Sequence, residues 1–267
     1  MLMMHLPKMK TSRQTGKTGR AVSLSLDVFL HRKGYFGFIL FFAFALWAFW
    51  TSYYGILGSD MPTAIRFHGT TMTLWCLMLI IQPFLIRLNK RKIHRWVGTL
   101  SYVLVPFILF SGAHLAHGTI LQSPPASPSY YFSIALMYNS LIVFAILYGL
   151  AIWHRKNAPL HARFMISTVF PLFTPVTDRL IYKYFESLIP LAPTMEDGMP
   201  MVPGLGFALA DLIIICLAVW DWRVHKRLSV FPFVLALLML YHLSVLTFYK
   251  YDFWKKIGDL MMTIPLS

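Results

Sequence analysis

The stretch from residue 66 to residue 87, RFHGTTMTLWCLMLIIQPFLIR, decides the fold class of this chain. Between its two arginines lie 20 residues without a charge, the length of a helix that crosses a hydrocarbon core about 30 Å thick. His68, Trp75 and Gln82 follow one another at seven-residue intervals. A helix turns about 100° per residue, so these three positions lie on one side of it. The stretch therefore predicts a membrane-spanning helix with a polar seam (His68, Trp75 and Gln82) that faces the interior of a helix bundle.

Composition places the rest of the chain in the membrane as well. Of the 267 residues, 57% are hydrophobic and only 13% are charged, whereas a soluble domain of this length needs a more charged surface. The net charge of +14 does not indicate a nucleic-acid partner, because the basic residues lie between the apolar runs and not on a soluble face. The expected surroundings of the protein are therefore a lipid bilayer, with no nucleic acid.

Seven apolar runs predict an all-α, polytopic transmembrane helix bundle with seven spans. The fifth run is short and contains Pro171 and Pro175; we expect it to extend to Tyr182, and the count falls to six if it is re-entrant. The predicted organisation is a basic cytoplasmic tail (1–34), a transmembrane domain (35–253) and a short external C-terminal tail (254–267). The runs themselves are 35–54, 67–86, 96–117, 129–153, 164–177, 204–220 and 229–249.

The distribution of basic residues predicts the orientation. Of the 24 Lys and Arg residues, 18 lie in the N-terminal tail and in the even-numbered connections. Positively charged connections stay on the cytoplasmic side, so we expect the N-terminus inside, the C-terminus outside and a multi-pass protein of the plasma membrane.

The histidines fall at two depths when each helical residue is counted as a rise of about 1.5 Å. His68, His114 and His117 reach the outer level, and His94 and His161 reach the cytoplasmic boundary. Imidazoles that face each other at one depth suit the axial positions of a b-type haem. We predict haem ligation by His68 with His114 and by His94 with His161, since close packing of spans three and five would bring the latter two together. A metal site at His68, His114 and His117 is a further prediction.

A second group of polar residues lies within or beside the apolar runs. Ionisable residues at membrane depth are costly and usually face the bundle or a wet cavity. Asp211 is expected to pair with Arg179 or Arg66, either to hold helices together or as part of a functional site. The predicted buried polar or relay residues are Asp178, Arg179, Asp211, His242 and Gln82.

Three motifs carry a resemblance to a known family. They are HGTTMTLWCLMLIIQ at 68–82, HRWVGTLSYVLVP at 94–106 and PLHARFMISTVFPLFTPVTDRL at 159–180. Together they resemble a widespread family of uncharacterised bacterial multi-pass membrane proteins, which implies the fold but no activity. The chain is also distantly similar to two-haem b-type cytochromes, whose histidine pairs come from a four-helix core. Of the two predicted pairs, only His94 with His161 fits the pairing that this second resemblance implies.

Several functions are compatible with these residues. The favoured hypothesis is haem-linked electron transfer across the membrane, with a quinone or another redox partner. The alternatives are a proton-coupled transporter whose polar track holds Asp178, Arg179, Asp211 and His242, and a seven-span zinc hydrolase that uses His68, Asp211 and His242. A membrane scaffold without chemistry is the remaining alternative.

Overall fold

The computed structural model describes residues 26–226 and 230–266, with side chains from residue 33 onward. This part of the chain is all α-helical, with short 3-10 turns and no strand. Its helices are α1 (Leu26–Phe49), α2 (Thr63–Arg87), α3 (Arg91–Thr99), α4 (Ser101–Ile120), α5 (Pro128–Trp153), α6 (Ala158–Ser167), α7 (Phe173–Tyr184), α8 (Pro203–His225), α9 (Val230–Thr247) and α10 (Asp252–Met262).

Five helical stretches of the described residues are long and apolar enough to cross a membrane. Within α1, the segment Lys33–Phe49 is a further apolar helix, but it is shorter than these five. The prediction of a multi-pass helical membrane protein is thus confirmed, while the number of crossings and their orientation stay predictions. The five stretches are Thr63–Arg87, Arg91–Ile120, Pro128–Trp153, Pro203–His225 and Val230–Lys250.

The region predicted as the fifth span is broken in two. Helices α6 and α7 are joined by a 3-10 turn, Phe170–Leu172, with Pro171 at its centre. A proline cannot donate the backbone hydrogen bond of a helix interior, so the helix is interrupted there. Pro175 falls in the first turn of α7, where its missing N–H does not matter. The helix continues to Tyr184, two residues beyond the expected end.

Helix α5 lies at the centre of the bundle and packs against α4, α6 and α9. Ile134, Ala135, Leu147 and Ala151 of α5 are completely buried. On one flank α2 lies between α1 and α4, and on the other α8 packs against both α7 and α9. Of the helices that carry the motifs, α6 packs directly on α5, α2 reaches it through Trp75, and α3 contacts α2 and α4.

Both segments predicted as tails contain helical residues. Helix α1 already begins at Leu26, inside the segment assigned to the basic tail, whereas residues 1–25 lie outside the described part of the chain. The C-terminal segment forms α10, which packs on α5. The indole Nε1 of Trp254 donates to the carbonyl oxygen of Tyr131 at 3.1 Å, and the Tyr131 hydroxyl donates to Asp259 at 3.0 Å. The segment 254–267 is therefore in large part a docked helix.

Candidate functional site

The polar seam of α2 faces the interior of the bundle, as predicted. Trp75 is 0% exposed and Gln82 is 8% exposed, whereas Leu77 on the opposite side of the helix is 37% exposed. The expected hydrogen bond from the Gln82 side chain to another helix is wrong: neither amide atom has a partner among the described residues. The residue of α3 that lies beside the Gln82 amide is Gly98, which has no side chain that could bond to the amide.

His94 and His161 meet at one end of the bundle, which we call the His94 end. Their ring centroids are 6.4 Å apart and their planes are inclined at 88°. The predicted proximity of these two residues is confirmed. His94 stands in α3 and His161 in α6, and both rings are only partly buried.

Both rings are held by a hydrogen bond at the same nitrogen. Nδ1 of His161 lies 2.8 Å from the carbonyl oxygen of Ala151, and Nδ1 of His94 lies 3.4 Å from that of Gln82. A carbonyl oxygen can only accept, so in the neutral form of each ring Nδ1 carries the proton and Nε2 keeps its lone pair. The structure describes no hydrogen bond to either Nε2. Such a backbone anchor at Nδ1 is typical of histidines that bind a metal through Nε2.

The end of α5 explains the position of His161. Ala151 belongs to the last turn of α5, whose carbonyl groups lack partners within the helix. The chain turns after Trp153, and the side chain of Asn157 accepts from the backbone N–H of Leu160 at the start of α6. This short connection returns His161 to the end of α5, where its ring satisfies the Ala151 carbonyl.

The opposite end of the bundle, which we call the His68 end, does not bring its three histidines together. His68 Nδ1 lies 3.1 Å from Ser111 Oγ, His114 Nδ1 bonds the carbonyl oxygen of Leu266, and His117 Nδ1 lies 3.5 Å from the Tyr138 hydroxyl. Three or more His, Cys, Asp or Glu side chains able to hold a metal ion are not grouped anywhere within residues 26–226 and 230–266. The predicted metal group of His68, His114 and His117 is therefore not assembled in the described part of the chain.

A cavity of about 450 Å³ lies at the His68 end, between α1, α2, α4, α5, α7 and α9. Its walls are mostly apolar, and His68, Asp178, Arg179 and Tyr241 are among the polar residues that line it. Oδ1 of Asp178 is buried and has no hydrogen-bond partner among the described residues. Two of the predicted relay residues, Asp178 and Arg179, therefore line one cavity together with the first residue of the seam.

Asp211 is paired with His242 and not with Arg179 or Arg66. His242 Nδ1 lies 3.1 Å from Asp211 Oδ2, and the His242 ring stacks on Phe207 with 4.0 Å between centroids. The guanidinium of Arg179 instead lies over the Phe49 ring, 4.2 Å from its centroid. Helices α8 and α9 are direct neighbours, which places Asp211 beside His242. The residues predicted as zinc ligands, His68, Asp211 and His242, do not form a metal-holding group among the described residues either.

A buried ionic cluster at the His94 end was missed by the sequence interpretation. Arg163 donates to both carboxylate oxygens of Asp221, with Nε–Oδ2 of 3.0 Å and Nη2–Oδ1 of 2.8 Å. His225 Nδ1 also lies 2.8 Å from Asp221 Oδ1. Arg163 is only 1% exposed, so it is not a solvated loop residue. The signal in the sequence was Asp221, an acidic residue directly after the apolar run 204–220. In the structure, the cluster links α6 to α8.

The fold and these sites define the class of the protein, a multi-pass helical membrane protein with polar groups buried at both ends of its bundle. No family model, curated protein or solved structure matches the chain. The resemblance carried by the three sequence motifs therefore stays a prediction.

Proposed function

We propose that the protein binds one b-type haem at the His94 end and transfers electrons in the membrane, exchanging them with a quinone or another redox partner. The observation that carries this proposal is the pair of anchored histidines, His94 and His161. Haem at the His68 end is not proposed, because the structure describes no contact between His68 and His114.

The spacing of the two rings fits a shared iron atom. A metal ion such as zinc holds an imidazole nitrogen at roughly 2 Å, so two histidines can share one ion only if their rings are close neighbours. The ring centroids of His94 and His161 are 6.4 Å apart. With both Nδ1 atoms engaged, the two Nε2 atoms are the nitrogens that would hold the haem iron.

The surroundings of His94 also fit a bound group. The side-chain amide of Gln82 is buried without a partner among the described residues, and the backbone carbonyl of the same residue anchors His94. A Cβ on Gly98 would lie 3.6 Å from Gln82 Nε2, so this glycine keeps the space beside the amide open. Burying an amide without a partner costs free energy. A polar group of a bound ligand would remove that cost.

The chemistry of the proposed site divides between haem and chain. Haem, when bound, would supply one-electron chemistry. His94 and His161 would hold it, and the carbonyl groups of Gln82 and Ala151 would fix their tautomers and raise their basicity as ligands.

The number of membrane crossings and the orientation of the chain are part of the same proposal. Seven crossings follow if α1 is one of them and α6 with α7 together form another. The N-terminus is then cytoplasmic, the His94 end faces the cytoplasm, and the protein resides in the plasma membrane.

The test is the reduced-minus-oxidised absorption spectrum of the purified full-length protein. We expect a b-type band in the wild type and its loss in both His94→Ala and His161→Ala. His154→Ala is the matched control, because His154 stands at the same end but stacks on Phe164, 5.6 Å between centroids. The control should keep the band. A colourless wild type, or a band that survives both single substitutions, would refute the proposal.

A second candidate function is a proton relay through the His68 half of the bundle. Asp178 and Asp211 each bury a carboxylate oxygen, Oδ1, without a partner among the described residues. Such groups often mark proton or ion paths in membranes. Proton uptake by liposomes that contain the protein would test it, with Asp178→Asn expected to abolish the flux. A colourless protein with this flux would select the relay over the haem protein.

A further inference from the structure

The cavity at the His68 end is large and apolar enough for a small ligand. Ligand sites are concave, mostly apolar spaces of about 300–1,000 Å³ with a few polar groups, and this cavity has about 450 Å³. Six helices contribute to its wall. Aromatic and aliphatic side chains form most of that wall, among them Phe41, Phe49, Met72, Leu141, Phe144 and Leu172.

The hydrogen bonds among the described residues leave two buried polar atoms of the cavity wall without a partner, Asp178 Oδ1 and Ser52 Oγ. Arg179 donates through Nη1 to the carbonyl oxygen of Pro175 at 3.1 Å, and the Tyr241 hydroxyl donates to the carbonyl oxygen of Leu136 at 3.1 Å. His68 Nδ1 is engaged with Ser111. By contrast, Asp178 Oδ1 is buried without a donor in the part of the chain that the structure describes. The carboxylate oxygen lacks a hydrogen-bond donor, and the Ser52 hydroxyl, which can donate or accept, lacks a partner as well.

We propose that the cavity binds a small, largely apolar molecule that carries a hydroxyl group and donates it to Asp178 Oδ1. Asp178 and Arg179 both line the cavity. A neutral hydroxyl can satisfy the Asp178 carboxyl oxygen without adding a charge at membrane depth. The proposal does not rest on haem binding. Asp178 lies at the opposite end of the bundle from His94 and His161.

The chain carries its own reporter for occupancy of this cavity. Cys76 lines the cavity and is buried, whereas Cys216 is exposed on α8. In a Cys216→Ser variant, the rate of alkylation by N-ethylmaleimide then reports access to Cys76. The measurement uses the full chain in lipid nanodiscs and mass spectrometry of the intact protein.

The probes are 2-naphthol and naphthalene, which differ by one hydroxyl group. We expect saturating 2-naphthol to slow alkylation of Cys76 at least five-fold, and naphthalene at the same membrane concentration to slow it less than two-fold. Equal protection by both probes, or none by 2-naphthol, would overturn the proposal. Protection by octanoate that exceeds protection by 2-naphthol and disappears in Arg179→Met would also overturn it, because the site would then select anions.

Two substitutions test the role of Asp178 in the same assay. Asp178→Leu removes the acceptor, and protection by 2-naphthol should fall to the level of naphthalene. Asp178→Asn keeps an acceptor oxygen and should retain part of the protection, which preserves the test if the leucine variant does not fold. Asp60→Asn, at an exposed residue that does not line the cavity, is the control and should behave as the parent. Full loss of protection in Asp60→Asn or full protection in Asp178→Leu would contradict the assignment.

The haem proposal and the cavity proposal fail independently. The reduced-minus-oxidised spectrum of Asp178→Asn should equal that of the parent.

Discussion

The imidazole rings of His94 and His161, from two short helices at one end of the bundle, lie 6.4 Å apart and nearly perpendicular to each other. Each is anchored through Nδ1 to a backbone carbonyl, so the pair presents two Nε2 atoms with defined tautomers. This arrangement is the basis of the haem proposal, and it has a consequence for stability.

Removal of haem should destabilise the wild type. A ligand that binds only the folded state stabilises it by roughly 2.7 kcal/mol at 100 times its Kd. We therefore expect thermal unfolding of the haem-depleted wild type to coincide with that of His94→Ala and to lie below that of the haem-loaded protein. If added haem stabilises His94→Ala as much as the wild type, the histidine is not a ligand.

The ion pair of Arg163 and Asp221 should be sensitive to loss of one member. Breaking a buried pair leaves an uncompensated charge and costs about 3–5 kcal/mol, so Arg163→Met should lower the free energy of unfolding by that amount in detergent micelles. The double variant Arg163→Met/Asp221→Leu should recover most of the loss. Arg155→Met, on an exposed arginine at the same end, is the control. A harmless Arg163→Met would show that the pair does not tie α6 to α8.

Close approach of α7 and α8 should depend on Gly206. A Cβ at this position would overlap Oγ1 of Thr177, which is held by a hydrogen bond to the carbonyl oxygen of Phe173. Overpacking of this kind costs about 1–3 kcal/mol, so Gly206→Ala should be destabilising and Thr177→Ala should suppress at least half of the effect. Gly149→Ala, with nothing within 4 Å of its Cβ, is the matched control. Equal effects of the two alanine substitutions would contradict the predicted overlap.

The seam of α2 should show a strong contrast between its two faces. Trp75 is completely buried and packs edge-on against Phe144, with 5.3 Å between ring centroids. Trp75→Ala should therefore cost about 3 kcal/mol or more. Leu77→Ala changes a side chain that lipid can cover and should cost about 0.5 kcal/mol. Unfolding in mixed micelles measures both, and similar costs would mean that α2 is rotated.

The orientation proposed from the basic residues can be tested with reporters at the C-terminus. Alkaline phosphatase fused after Ser267 should be active, because an odd number of crossings puts this end outside. A fluorescent protein at the same point should be dark if it needs the cytoplasm. Insertion after Asn89, in the basic connection between α2 and α3, serves as the cytoplasmic control. A bright C-terminal fusion would require an even number of crossings.

Much of the fold was predictable from local patterns. The spacing of His68, Trp75 and Gln82 correctly predicted which side of α2 is buried, because a helix repeats its direction every 3.6 residues. Depth along a span predicted equal levels for His94 and His161, since each residue rises by a constant amount. Charge-free length predicted the five helical stretches that are long and apolar enough to cross a membrane, because the thickness of the bilayer is fixed.

The partners of the polar groups were decided only by the tertiary structure. Asp211 pairs with His242, and Arg163 pairs with Asp221. The Gln82 amide has no partner among the described residues. The depth of these residues along their helices allowed other partners. Which helix faces a given side chain depends on how helices distant in sequence pack and rotate against one another. Periodicity and rise are properties of a single helix and contain no information about its neighbours, so the sequence alone determined the membrane fold, and packing determined the pairs within it.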